Sequence, residues 1–241
     1  MNGFLGALQF ITILPTGKSV PFDPQNMVPF FPVVGLLLGV LVALFDQVAI
    51  RLWNPSVVSL LDVVLLIILT GAFHLDGLGD TADGLLGQRP KEDALVIMKD
   101  SRMGAMGLVA VICGLALKWG GIAGLDIHRS LLLIIVPAYA RSGMIFGIRF
   151  LDYGRPRGGT GLDFFKEKIG IIAFWGLLIP VALSLLTGWR AILLNAGFVV
   201  IITAILLYYK RRVGCITGDM LGAMAEITEA GLFLLVSIGG I

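Results

Sequence analysis

Residues 57–84 read VVSLLDVVLLIILTGAFHLDGLGDTADG. An apolar run of membrane-span character gives way at once to His74 and three carboxylates, Asp76, Asp80 and Asp83. Burying a charge in hydrocarbon is costly, so ionisable residues at a membrane boundary face a polar site or a partner. If the run is helical, the spacing i, i+4, i+7 places the three aspartates within about 60° of one face. Carboxylates that close repel one another unless a cation or a proton holds them together. Hard oxygen donors of this kind point to Mg²⁺. The competing reading is a solvated acidic loop that merely follows a span.

Working outward, the composition excludes most soluble classes. Of 241 residues, 57% are hydrophobic and 14% charged, and the mean hydropathy is +0.96. A soluble domain carries about 25% charged residues. The net charge of +2 gives no basis for nucleic-acid binding. Cys113 and Cys215 form neither a metal-ligand pattern nor a disulfide framework and read as free thiols. The opening MNGFLGALQFITILP lacks a basic region and a small-residue cleavage site, and reads as a short interfacial or re-entrant helix.

A span needs about 20 largely apolar residues, and seven candidates emerge: 28–50, 57–73, 104–125, 130–150, 169–187, 191–209 and 217–240. The last is unconventional, because Asp219, Glu226 and Glu229 fall in its first half. Polar segments at 74–103, 151–168 and 210–216 alternate with short turns. Twelve basic residues, from Lys18 to Arg212, lie in the N-terminal segment and these longer loops, against Arg51, Arg129 and Arg190 on the other side. That asymmetry predicts a cytoplasmic position for the Asp-rich run and for the start of the last span. The expected architecture is all-α: a polytopic integral membrane protein with about seven transmembrane helices, residues 1–241 forming one membrane-embedded domain.

Three further segments carry chemistry. In Thr217–Glu229, sequence neighbours supply no cation to Asp219, Glu226 or Glu229. They either pair with basic residues on other helices or complete an acidic chamber with Asp76, Asp80 and Asp83, as metal ligands or a general base. In Met98–Gly107, Lys99, Ser101 and Arg102 precede a span whose helix N-terminus and glycines suit a phosphate; juxtamembrane basic residues of the positive-inside kind are the plainer reading. Arg141 sits inside an apolar span and needs a carboxylate or a phosphate. Arg155 belongs to a glycine-rich loop, 153–161, that either folds over a nucleotide or simply connects. His74 moves a proton, orients a carboxylate or, as lone histidines more often do, serves as a hydrogen-bonded structural residue. The Gly35–Gly39 spacing marks close helix packing.

Together these segments resemble the cobalamin synthase family, the adenosylcobinamide-GDP ribazoletransferases. FHLDGLGDTADG at 73–84, MKDSRMGAMG at 98–107 and TGDMLGAMAEITE at 217–229 carry the resemblance. ALQFITILP at 7–15, FFPVVGLLLG at 30–39, Ala140-Arg141 and YGRP at 153–156 add to it. Ala82 departs from the cysteine common in the family, and Met106 from a more polar residue; neither alters a carboxylate. The resemblance implies a Mg²⁺-dependent transferase of the cytoplasmic (inner) membrane, its site facing the cytoplasm. It would join adenosylcobinamide-GDP to α-ribazole, or to its 5′-phosphate, and release GMP. On that reading Asp76, Asp80 and Asp83, with Asp219 and Glu226, hold the metal against the pyrophosphate. Glu226, Glu229 or His74 is the base. Arg102 and Arg141 stabilise the transition state, and Lys99, Ser101, Arg102, Arg141 and Arg155 bind substrate. The lipid bilayer is the remaining partner; a homo-oligomer and an association with other cobalamin-assembly enzymes stay open.

Three rivals fit less well. A CDP-alcohol phosphotransferase would have Ala-Arg where further aspartates follow Gly77. A prenyl transferase would carry paired DDxxD-like motifs. A transporter or channel would place its carboxylates near the midplane and show an inverted repeat.

Overall fold

A computed structural model describes residues 2–155 and 161–239. The chain opens with α1 (Asn2–Ile11), the short helix expected at the N-terminus, and passes through α2 (Pro24–Met27) and a 3-10 turn into α3 (Phe31–Ala49). α4 (Pro55–Thr70) starts on Asn54, whose side chain accepts from the Val57 N–H at 3.1 Å. Pro55 follows in the first turn, where its missing N–H would be unpaired anyway. The helix stops at Gly71 and Ala72, with φ of +60° and +59°. Two successive left-handed residues turn the chain through 92° into α5 (Phe73–Leu85). Glycine adopts that backbone freely, whereas Ala72 holds it at a cost of about 1–2 kcal/mol.

α6 (Lys91–Ile97) and an exposed segment lead to α7 (Ala105–Ala123) and α8 (Arg129–Phe150). A 3-10 stretch, Ile171–Leu177, runs into α9 (Leu178–Ser184), followed by α10 (Arg190–Arg212) and α11 (Gly218–Val236). α11 occupies the centre, packed against α5, α7, α8 and α10. α3 packs along α8, and the Gly35–Gly39 pair makes that possible. A Cβ on Gly35 would lie 2.5 Å from the Pro137 carbonyl oxygen, and one on Gly39 2.5 Å from the Ile134 backbone. Outward faces present Val64 and Ile68 of α4, Ile112 of α7 and Val199 and Val200 of α10. An apolar surface so extensive belongs against lipid.

The structure bears out an all-α polytopic membrane protein and revises its details. The seven hydropathy segments all fold as helix, but four helical stretches among the described residues are long and apolar enough to cross alone: Pro24–Ala49, Ala105–Ala123, Arg129–Phe150 and Arg190–Arg212. α4 and α5, bent by 92° at their break, form either a fifth, broken span or a re-entrant loop. Ile171–Thr187 is a shorter apolar helix, and α11 buries Glu226 and Glu229 within the bundle instead of presenting an apolar surface. The start of the expected 74–103 linker is helix α5, packed into the bundle against α7 and α11. Cys113 and Cys215 are both free. Burial pushes the Cys215 thiol up, against a weaker downward pull from Lys91.

At the end of α7 away from the Asp run, Arg129 ties four helices together. Its Nη2 lies 2.6 Å from Asp46 and 3.0 Å from Asp62, and its Nη1 donates to the Ile122 carbonyl at 2.7 Å. Asp46 and Asp62 are both buried. Arg129→Met leaves two carboxylates buried without their cation, a loss of about 3–5 kcal/mol. The expected outcome is a marked drop in the unfolding temperature of the detergent-solubilised protein.

Candidate active site

Two glycines let α5 and α11 meet backbone to backbone. A Cβ on Gly77 would come 2.6 Å from the Asp219 carbonyl oxygen, and one on Gly222 3.1 Å from the His74 Cα. α11 begins on Thr217, whose hydroxyl accepts from the Met220 N–H at 3.3 Å. A short bridge between Tyr153 and Ile216, closed by the Gly154 N–H on the Ile216 carbonyl at 2.8 Å, delivers Arg155 to the same place. There the Arg155 guanidinium lies 2.7 Å from the Asp219 carboxylate.

The helix contact gathers an outer acidic layer. Asp80 lies within electrostatic range of Asp76, Asp219 and Asp83, and of the Arg155 cation. Asp76 is exposed, while Asp80 and Asp219 are half-buried, so the layer can be reached from outside the bundle. Among the described residues, no three His, Cys, Asp or Glu side chains stand close enough together to hold a metal ion between them. Mg²⁺ does not require one: it is commonly held by one or two carboxylates, with water and substrate phosphates completing its shell. Asp76, Asp80 and Asp219 are oxygen donors of that kind, and one or two of them meet this requirement.

Asp83 is differently engaged. Its two oxygens accept from the Gly104 and Gly107 N–H groups at 2.7 and 2.8 Å, capping α7 from a neighbouring helix. A carboxylate there satisfies orphan donors and complements the helix dipole. The α7 N-terminus expected to greet a phosphate thus already holds an anion. Before it, Lys99, Ser101 and Arg102 are exposed. Arg102 donates to Asp100 at 2.6 Å and holds that carboxyl down at about 2. Among the described residues, the Arg102 guanidinium pairs with Asp100 of its own segment and not with the outer layer. Of the glycine-rich loop, Pro156–Thr160 lie outside the described residues.

Deeper in the bundle is an inner layer of charge. Lys118 of α7 stands 2.7 Å from Glu226 and 2.7 Å from Glu229, both on α11, and Arg141 of α8 pairs with Glu229. All four are buried, and two cations balance two anions. Sequence neighbours offer Glu226 and Glu229 no cation; the fold supplies one from each of two other helices. His74 is fully buried beside this group, with no hydrogen-bond partner for either ring nitrogen. Two residues before Asp76, it faces about 160° away from the aspartate side of α5. His74, Arg141, Glu226 and Glu229 therefore form one group, and Asp76, Asp80, Asp219 and Arg155 another. Lys118 was not singled out as a site residue by sequence reasoning, although a lone lysine in an apolar span is a usable signal.

Comparison with known proteins now decides the relationship. The family model described as cobalamin-5-phosphate synthase matches residues 3–237. The chain belongs to that family. It is 38% identical over 244 residues to the adenosylcobinamide-GDP ribazoletransferase of Alkaliphilus metalliredigens, covering 98% of this chain and 94% of the relative. It is 33% identical to the protein of that name from Brevibacillus brevis (99% and 98% covered) and 32% identical to that from Shewanella piezotolerans (100% and 96%). No solved structure matches the chain. Both acidic layers, and the helices that carry them, lie within the matched residues.

Two substitutions probe this architecture. Gly77→Ala forces α5 off the Asp219 backbone, an overpacking cost of about 1–3 kcal/mol. It is expected to lower turnover while the protein still inserts. Gly79→Ala, whose Cβ would meet the flexible Met103 side chain at 3.4 Å and the Val111 side chain at an ordinary 3.6 Å, should be tolerated. Lys118→Met strands Glu226 and is expected to lower the unfolding temperature strongly, by about 3–5 kcal/mol of stability. Adding Glu226→Gln should restore part of that loss, since Arg141 still neutralises Glu229.

Proposed function

We propose that the protein is an adenosylcobinamide-GDP ribazoletransferase of the cytoplasmic membrane, with the outer acidic layer open to the cytoplasm. The observation that carries this reading is the convergence of Asp76, Asp80 and Asp219 with Arg155 in a chain matched over residues 3–237 by the family. Names of relatives over nearly the full length support the substrates. The positive-inside asymmetry supports the orientation.

In the reaction, the ribose hydroxyl of α-ribazole, or of its 5′-phosphate, attacks the phosphorus next to cobinamide. A new P–O bond forms, the bond to the bridging oxygen breaks, and GMP leaves with that electron pair. Asp76 and Asp80, with Asp219, are the residues to hold Mg²⁺, which when bound supplies positive charge to the pyrophosphate. Arg155 offers a bidentate guanidinium to the remaining phosphate oxygens. The hydroxyl proton passes to a carboxylate of the outer layer. This differs from the expectation for His74, Glu226 and Glu229: both glutamates are engaged by cations, and His74 is turned to the opposite side of α5. Arg141 then acts on Glu229, and the inner layer keeps α11 in register beneath the site. Lys99, Ser101 and Arg102, exposed on the segment before α7, remain available to the nucleotide once it is bound.

The test is GMP formation by the purified protein from adenosylcobinamide-GDP and either acceptor. We expect release matched by cobalamin product, lost on chelation of divalent cations and restored by Mg²⁺. Asp76→Asn and Asp80→Asn should each cost at least about a hundredfold in turnover, the scale on which removing one electrostatic stabiliser acts. Near-normal turnover in both variants would remove the outer layer from the mechanism.

A further inference from the structure

A cavity of about 520 Å³ opens between α7 and α10. Ala230 of α11 lies in its floor, Cys113 of α7 and Ala204 and Tyr208 of α10 in its walls, and Leu78 and Leu85 of α5 close one end. The lining is apolar apart from a few groups, among them Glu226, which Lys118 already neutralises. Cys113 and Tyr208 are exposed on the outer surface, so the cavity opens sideways, onto the face that meets lipid.

Three observations identify the occupant. First, the walls belong to the back of α5. Leu78 and Leu85 lie about 170° around the helix from the aspartate face, so the cavity and the outer acidic layer are on opposite sides of a rigid element. A substrate reacting at Asp76 and Asp80 would not rest its apolar part here. Second, a smaller cavity of about 380 Å³ adjoins at the C-terminal end of α10, sharing Ala204 and Tyr208 and adding Arg211 and Arg212. Third, Arg212 donates to the Leu85 and Arg89 carbonyls at 3.1 and 2.8 Å, leaving Nη2 without a partner, while Arg211 is exposed. An apolar slot open to the bilayer, with guanidinium groups at its boundary end, is complementary to an acyl chain joined to a phosphate.

We infer that the groove between α7 and α10 binds an anionic glycerophospholipid, with an acyl chain in the cavity and the phosphate on Arg211 and Arg212. Bound there, the lipid packs against the back of α5 and completes the bundle on the side where α7 and α10 stand apart. Basic residues near an anionic headgroup contribute about 1 kcal/mol each, so loss of Arg211 should weaken binding about fivefold.

The experiment uses the full chain in phosphatidylcholine nanodiscs containing a trace of phosphatidylglycerol with a photoreactive group in one acyl chain. Adducts should concentrate on the cavity-facing residues of α7, α10 and α11, and unlabelled phosphatidylglycerol should displace them far better than phosphatidylcholine. Arg211→Gln should reduce labelling about fivefold. Ala204→Phe, which fills the cavity at its mouth, should abolish it, and Cys113→Phe gives the same readout from the opposite wall. Labelling spread evenly over the lipid-facing surface, equal displacement by both lipids, or adducts unaffected by the two filling variants would overturn the proposal. Displacement by α-ribazole instead of lipid would also overturn it and assign the cavity to substrate.

Discussion

Everything in this bundle depends on the requirement that a charge withdrawn from water be met by an opposite charge. Glu226 and Glu229 lie buried on the central helix. Lys118 and Arg141 answer from α7 and α8, which fixes the rotation and register of three helices at once. A shift of one residue on any of them would separate cations from anions at a cost the apolar contacts could not offset. Arg129 performs the same service at the other end with Asp46 and Asp62. Between these two polar anchors, α3 lies on α8 through glycines and α11 is enclosed on several sides.

With α11 held from below, its first turn becomes a platform. Gly77 and Gly222 allow α5 to lie directly on it, and the left-handed pair Gly71–Ala72 aims α5 there from the end of α4. The strain stored at Ala72 is of the kind found where a backbone must be steered to a site. Asp76 and Asp80 then stand with Asp219 and Arg155 in a layer open to water, and the dry ion network lies beneath. The division has a chemical logic. Groups that take up a metal or give up a proton need access to solvent, whereas groups that set helix register work best without it, where their attraction is least screened.

Much of this was legible in the sequence. Apolar runs of span length and the shortage of charge determine a helical membrane protein, because a backbone in hydrocarbon must satisfy its own hydrogen bonds. The i, i+4, i+7 spacing determines that Asp76, Asp80 and Asp83 share a helix face, since 3.6 residues complete a turn. FHLDGLGDTADG, MKDSRMGAMG and TGDMLGAMAEITE were sufficient to recognise the family. Gly35 and Gly39 announced a close helix pair.

What the sequence left undecided is which partner each charge takes, because that depends on residues distant in the chain. Glu226 reads as a ligand or as half of an ion pair until Lys118, 108 residues away, is placed 2.7 Å from it. Asp83 shares a face with Asp76 and Asp80, yet it caps α7, because the return of the chain puts the Gly104 and Gly107 N–H groups within its reach. The span count went the same way: a helix with three carboxylates is tolerated in the bundle only when neighbouring helices enclose it. Local periodicity and composition determine that helices form and which face is polar. Only the tertiary structure decides which polar faces meet, since a buried charge is settled by the one partner that long-range packing brings to it.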